Sequence, residues 1–143
     1  MYLQLEKLRH QHSFEFTIQI DEGVNSRSTC IPPLLLQPFV ENAIQHGLRH
    51  RGDNKGELTI SIGKIEESLV CTIDDNGIGR RRAGQINKQR SSTHQSVGLK
   101  VTEARIHSMG LLYGNRQSVL IKDKQNDSGT TVIITLPFFN DCF

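Results

Sequence analysis

Apolar and polar residues alternate without a break from Phe14 to Ile20 (Phe-Glu-Phe-Thr-Ile-Gln-Ile), the period of a strand with one buried face. Glu57 to Ile62 alternates in the same way, and Leu69 to Asp74 less cleanly; the short connection from Lys64 to Ser68 makes the two a hairpin. Gln117–Lys124 and Thr130–Leu136 read as two more strands, turned by Asn126-Asp127-Ser128-Gly129. Two stretches carry the helical period instead. In Leu35–His46, the residues Leu35, Phe39, Val40, Ala43 and Ile44 form one apolar stripe, with Pro32-Pro33 opening the helix and Gly47 closing it. In Val97–Met109, the inward positions are Val97, Val101, Ala104 and Ile106, closed by Gly110. Residues 2–12 read as the end of a helix whose Leu3, Leu5 and Leu8 have little to bury, as if cut from a longer chain. Residues 21–31 and 49–56 read as loops, and Ala83–Ser96, almost without apolar residues, as a mobile loop.

Strands with one apolar and one polar face belong to a sheet covered by helices on one side. About five such strands, often in hairpins, with two full helices make the expected fold α+β. It is a two-layer α/β sandwich with a mixed, mostly antiparallel sheet. Residues 13–143 form the domain, and residues 1–12 are the end of a linker helix.

Composition narrows the function classes. The chain has 143 residues, 36% hydrophobic and 22% charged, with a formal net charge of +2. That charge is too small to argue for nucleic acid or membrane as a partner. No apolar run is long enough to span a bilayer, and no signal peptide is visible. Cys30, Cys71 and Cys142 are odd in number and far apart, which argues against a disulfide framework and for a reducing cytoplasm.

Three stretches carry candidate chemistry. On the Leu35–His46 helix, Glu41, Asn42 and His46 lie off the apolar stripe, with Asn42 and His46 four apart on one face. Taken alone, these are ordinary surface positions. The second stretch, Ile73-Asp74-Asp75-Asn76-Gly77-Ile78-Gly79, directly follows a strand. Its glycines permit a sharp turn and close approach to a ligand. A carboxylate before them can accept from an exocyclic amino group such as adenine's; a plain Asp-Asn-Gly turn is the structural alternative. The third, Ser96-Val97-Gly98-Leu99-Lys100, opens a helix. There free backbone N–H groups bind anions, or Ser96 simply caps the helix. Between the last two runs a segment with Arg80, Arg81, Arg82, Lys88 and Arg90 and no acid, suited to closing over a polyphosphate. No Walker-type phosphate loop is present. His46 and His50 have metal-ligand spacing, but Gly47 stands where a zinc protease needs glutamate.

In this order and spacing, over roughly residues 13–137, the motifs resemble the Bergerat-type ATP-binding domain shared by gyrase, Hsp90 chaperones, sensor histidine kinases and MutL. Leu36-Gln37-Pro38-Phe39-Val40-Glu41-Asn42-Ala43-Ile44-Gln45-His46-Gly47 and the leading Tyr2-Leu3-x-Leu5-Glu6-x-x-Arg9 look like sensor histidine kinases of the LytS/YehU type. The resemblance implies ATP and Mg2+ as cofactors. Asn42 would hold Mg2+. Asp75 would bind the adenine amino group, with Gly77 and Gly79 beside the base. His46, Gly98, Leu99 and Lys100 would lie at the phosphates, and Thr131 or its neighbour would back the adenine. Glu41 would polarise the attacking imidazole during transfer of the γ-phosphoryl to a histidine on a separate domain.

The resemblance also implies partners: the phosphoacceptor and dimerisation domain of the same parent protein and, indirectly, a response regulator. The isolated domain would be monomeric and cytoplasmic; the parent would be a homodimer anchored in the membrane. Three departures shape these expectations. Pro38 occupies the place of the gyrase-type catalytic glutamate, against an ATP-gated clamp. Ser96 replaces a usual glycine, the feature that would favour a degenerate, non-catalytic nucleotide-binding module. No phosphoacceptor sequence is present, so the fragment is expected to bind ATP without phosphorylating itself.

Overall fold

The computed structural model describes residues 2–9, 14–32, 34–53, 55–88, 95–113 and 118–138. Helix α1 (Tyr2–Arg9) leads into strand β1 (Phe14–Ile20). After a long loop comes α2 (Gln37–Asn42), continued by a π-helical turn (Ala43–Gly47) and a 3-10 turn (Leu48–His50). Strands β2 (Gly56–Ile65) and β3 (Ser68–Asp75) follow. Helices α3 (Gly79–Lys88) and α4 (Gln95–Tyr113) precede β4 (Ser118–Asp123) and β5 (Thr130–Pro137).

The five strands form one sheet in the order β1-β2-β3-β5-β4, with β1 parallel to β2 and every other pair antiparallel. The expected mixed, mostly antiparallel sheet is therefore present, and each strand lies within two or three residues of its expected bounds. The pleat explains the core. Leu69, Cys71 and Ile73 of β3 pair with Leu136, Ile134 and Val132 of β5, and all six are buried. Leu58 and Ile60 of β2 extend the same face. Phe39, Val40, Ala43, Ile44 and Ile106 from the helices pack into the same cluster.

The helices depart from expectation in four ways. The stretch after Pro32 does not start a helix: Leu34 has φ 62°, and α2 begins at Gln37 with Pro38 in its first turn. Leu35 is fully buried from outside the helix. Gly47 does not end the helix, because its backbone stays right-handed and the chain coils on to His50. Ala83 to Lys88 is not a loop but the greater part of α3, whose buried contact is Ala83. Helix α4 runs through Gly110 and buries Thr102 and Ile106, with Leu99 and Met109 half-buried. Val101 is 55% exposed. The inward stripe is therefore set by 99, 102, 106 and 109.

Among the cysteines, Cys71 is buried and free, and burial pushes its thiol up to about 12. His10, His12, Pro33, Arg90, His94, Gln117, Cys142 and the side chains of Ser96 and Val97 lie outside the described residues.

Candidate functional site

Asp75 breaks the apolar line of β3. It is the next inward position after Leu69, Cys71 and Ile73, and it is 4% exposed. Burying a carboxylate without full compensation disfavours its charged form. Burial pushes the Asp75 carboxyl up to about 6, against hydrogen bonds from the Gly77 and Thr130 backbone and the nearby Lys124 charge. The Gly77 N–H donates to Asp75 Oδ1 at 2.9 Å. Behind it, Lys124 Nζ donates to the Asp75 carbonyl at 2.8 Å and to Asp74 Oδ2 at 2.7 Å. A buried acid held near pH 6 by its surroundings is a mark of functional sites.

The helix and the β3 loop meet through two glycines. A Cβ on Gly47 would lie 2.8 Å from Asp75 Oδ1, and one on Gly77 would lie 2.4 Å from the Gly47 Cα. The Ile78 N–H donates to the Gly47 carbonyl at 3.3 Å. Gly47 therefore serves close approach rather than helix termination. Its π-helical turn carries His46 and follows directly on Asn42, and π-helical turns recur at functional sites. Gly79 has φ 76°, a conformation suited to glycine, where the chain leaves the loop and enters α3.

These elements enclose a cavity of about 320 Å³ lined by Asn42, His46, Asp75, Gly79, Leu99 and Thr130, among others. A smaller groove of about 130 Å³ adjoins it, lined by Glu41, Asn42, Gln45, His46, Gly98 and Leu99. Asn42, His46 and Leu99 line both. Gly77 reaches the site through its bond to Asp75 and is not among the residues that line the cavity. Lys100 is exposed and lines neither space.

Thr131 requires a correction. Its hydroxyl donates to Asp74 Oδ1 at 2.6 Å, on the sheet's other face. The hydroxyl residue on the cavity side is Thr130, which pairs directly with Asp75 across β3–β5. Directly paired residues share a face and their neighbours take the other, so strand register alone could have separated the two threonines.

Arg80, read from sequence as part of a basic segment closing over a polyphosphate, lines the cavity and grips Asp123 through two bonds of 2.6 and 2.7 Å. The arrangement can hold a flat, partly apolar ligand against Asp75 at one end and a charged one near Asn42 and His46 at the other. For a metal, no cluster of three or more His, Cys, Asp or Glu is present among the described residues. A single amide oxygen on Asn42 fits Mg2+, which keeps its waters and is commonly held by few protein ligands together with phosphates.

Residues 32–140 match the family described as histidine kinase-, DNA gyrase B-, and HSP90-like ATPase. The chain is 34% identical to the uncharacterized protein YwpD of Bacillus subtilis (strain 168), over 92% of this chain and 44% of that protein. It is 30% identical to the sensor histidine kinase YesM of the same organism, over 98% and 22%. It is 29% identical to the sensor protein LytS of Staphylococcus saprophyticus, over 97% and 23%. The chain thus spans less than half the length of each of these relatives. Among solved structures, the catalytic domain of histidine kinase ThkA superposes with a TM-score of 0.62 at 14% identity, covering 95% of this chain and 88% of that one. No helix among the described residues is long and apolar enough to cross a membrane.

Proposed function

The chain belongs to the histidine kinase-, DNA gyrase B- and HSP90-like ATPase family, as the ATP-binding catalytic domain of a sensor histidine kinase, and from that premise we propose how its residues hold ATP and pass on its γ-phosphoryl. Asp75 accepts a hydrogen bond from the adenine amino group, with Thr130 beside it and Gly79 on the wall. Asn42 holds Mg2+ among the phosphates, and His46, Gly98 and Leu99 line the phosphate end. Lys100, exposed on the first turns of α4, adds positive charge at the mouth. Glu41 polarises the imidazole of a histidine on the phosphoacceptor domain of the same parent protein. Phosphoryl transfer depends mostly on positioning and charge neutralisation, so few reactive side chains are needed.

The observation that carries this reading is that Asn42 and Asp75, from separate elements, line one cavity. Helix α1 is then the end of the linker from the phosphoacceptor region, in a homodimeric parent anchored in the membrane, with this domain on the cytoplasmic side. The histidine phosphate would pass to a response regulator.

Calorimetric titration with a non-hydrolysable ATP analogue, with and without Mg2+, tests the first part. Saturable binding strengthened by Mg2+ is expected, and no heat in either condition defeats the nucleotide assignment. Incubating the domain with Mg-ATP and a histidine-bearing acceptor domain tests the second. Binding without labelled histidine would favour a non-catalytic nucleotide module.

A further inference from the structure

The face of the sheet turned away from the cavity carries a polar cluster at Asp75. Lys124 follows β4 at the mouth of the turn into β5, where its backbone N–H donates to the Gly129 carbonyl at 3.1 Å. Its ammonium group reaches across β5 to the end of β3. There it donates to Asp74 Oδ2 at 2.7 Å and to the Asp75 carbonyl at 2.8 Å. The Thr131 hydroxyl donates to the other Asp74 oxygen at 2.6 Å, so both oxygens of that carboxylate are engaged. The Lys124 and Asp74 side chains are only 30% and 39% exposed, which protects the pair from screening by solvent. A Cβ on Gly129 would overlap the Asp75 carbonyl, so the turn and the end of β3 meet without clearance. A cation thus rests on the peptide unit of the residue whose carboxylate faces the cavity.

We propose that Lys124 is a positioning residue for Asp75 that acts by its charge: Asp74 and Thr131 hold the ammonium group at the end of β3, where it fixes the Asp75 backbone and sets a positive charge behind the carboxylate that faces the ligand. The proposal rests on the reading of Asp75 as the acceptor for the adenine amino group. That reading needs a carboxylate, yet burial favours the neutral acid. A nearby opposite charge favours the ionised form, and Lys124 supplies one. Burial is the largest influence on Asp75, and against it the Lys124 charge outweighs the opposing charge of Asp74. The strand partners of Asp75, Leu58 on β2 and Thr130 on β5, carry no charge. His46 and Arg80 line the cavity with Asp75, and Arg80 is engaged by Asp123. The cluster also gives Asp74 and Thr131 a purpose on the face away from the cavity, because both act on the site through the cation they anchor.

The test is Lys124→Met, which keeps a long side chain and removes its charge, with Lys124→Arg to restore the charge. The Asp75 carboxyl carbon, followed by NMR against pH in the ligand-free domain, reports Asp75 itself, although an imidazole such as His46 titrates in the same range. In Lys124→Met its midpoint should rise from about 6 by at least about half a pH unit. Lys124→Arg should bring it back to within about 0.2 of the original value, since a guanidinium is always charged. Analogue affinity in Lys124→Met should fall about two- to fivefold at pH 7 and recover at about pH 8.5, where the carboxyl is ionised in either protein. A loss of the same size at both pH values with the midpoint unmoved would make Lys124 a structural brace and overturn the proposal. So would no change in either measurement. If Lys124→Met fails to fold, Lys124→Gln, also uncharged, takes its place in both measurements. If the unaltered domain fails to bind the analogue, the nucleotide reading fails, while the carboxyl titration still decides whether Lys124 acts on Asp75.

Discussion

Asp75 occupies a site that the pleat of β3 would otherwise give to an aliphatic side chain, and it costs the fold stability whenever it is ionised. Its folded-state pKa of about 6 lies above the ordinary 3.8. Between those values the folded domain binds more protons than the unfolded chain, so stability falls as pH rises through this window. By pH 7 the full cost is present, up to about 3 kcal/mol. Asp75→Asn keeps an oxygen for the Gly77 N–H but carries no charge. It is expected to raise the melting temperature at pH 7 and to flatten the stability profile between pH 4 and 6, as a thermal melt series would show. The same variant should bind the ATP analogue roughly 10- to 100-fold more weakly, because a charged acceptor is worth about 1.5–3 kcal/mol. Gain of stability with loss of binding separates a ligand-facing group from a structural one; loss of both would remove Asp75 from the site. In the unaltered domain, analogue affinity should drop by up to about tenfold from pH 7 to pH 5, since the ionised carboxylate accepts from adenine more strongly than the protonated one.

Two elements hold the cavity together, and their joint is the contact between Gly47 and Gly77. A methyl group on Gly77 would fall 2.4 Å from the Gly47 backbone, where no side chain can yield. Gly77→Ala is expected to lose about 1–3 kcal/mol in urea unfolding and to weaken analogue binding by moving the helix away from Asp75. The tie between α3 and β4 should behave differently. Arg80 and Asp123 are each about half exposed, at 48% and 54%, so Arg80→Ala should change stability by no more than about 1 kcal/mol. These contrasts show which elements the chain announced. The strands were legible because alternation follows the pleat: at Leu69–Asp74 it reports one buried face directly, whereas at Phe14–Ile20 it marks the strand but not its burial, since Phe14 is buried while Ile18 and Ile20 are exposed. Helix α3 was not, because it buries Ala83 and otherwise presents arginines, leaving no apolar stripe to read. Gly47 was misread because local sequence cannot distinguish a glycine that ends a helix from one required by a neighbour far along the chain. Thr131 and its neighbour could not be told apart because a one-residue choice on a strand selects the face, and the choice needs the β3–β5 register that pairs Thr130 with Asp75.

At the scale of the whole molecule, the cavity is built from parts distant in sequence: Asn42 at the end of α2, Asp75 at the end of β3, Leu99 on α4 and Thr130 on β5. A ligand that touches all four binds the folded state and not the unfolded chain, so its binding energy adds to the stability of the entire domain. At 100 times its dissociation constant the analogue should contribute about 2.7 kcal/mol, which for a domain of this size is a rise in melting temperature of roughly 10 °C. The rise should have two separable parts, because the two ends of the cavity are held by different chemistry. With no cluster of metal ligands among the described residues, Mg2+ alone should leave the melting temperature unchanged. With the analogue present, chelating Mg2+ should remove part of the rise. Asn42→Ala should abolish that Mg2+-dependent part and keep the remainder, and Asp75→Asn at matched analogue concentration should lose most of the remainder. A metal-only rise, or an Asn42→Ala domain that still responds to Mg2+, would place the ion elsewhere and separate Asn42 from the phosphates.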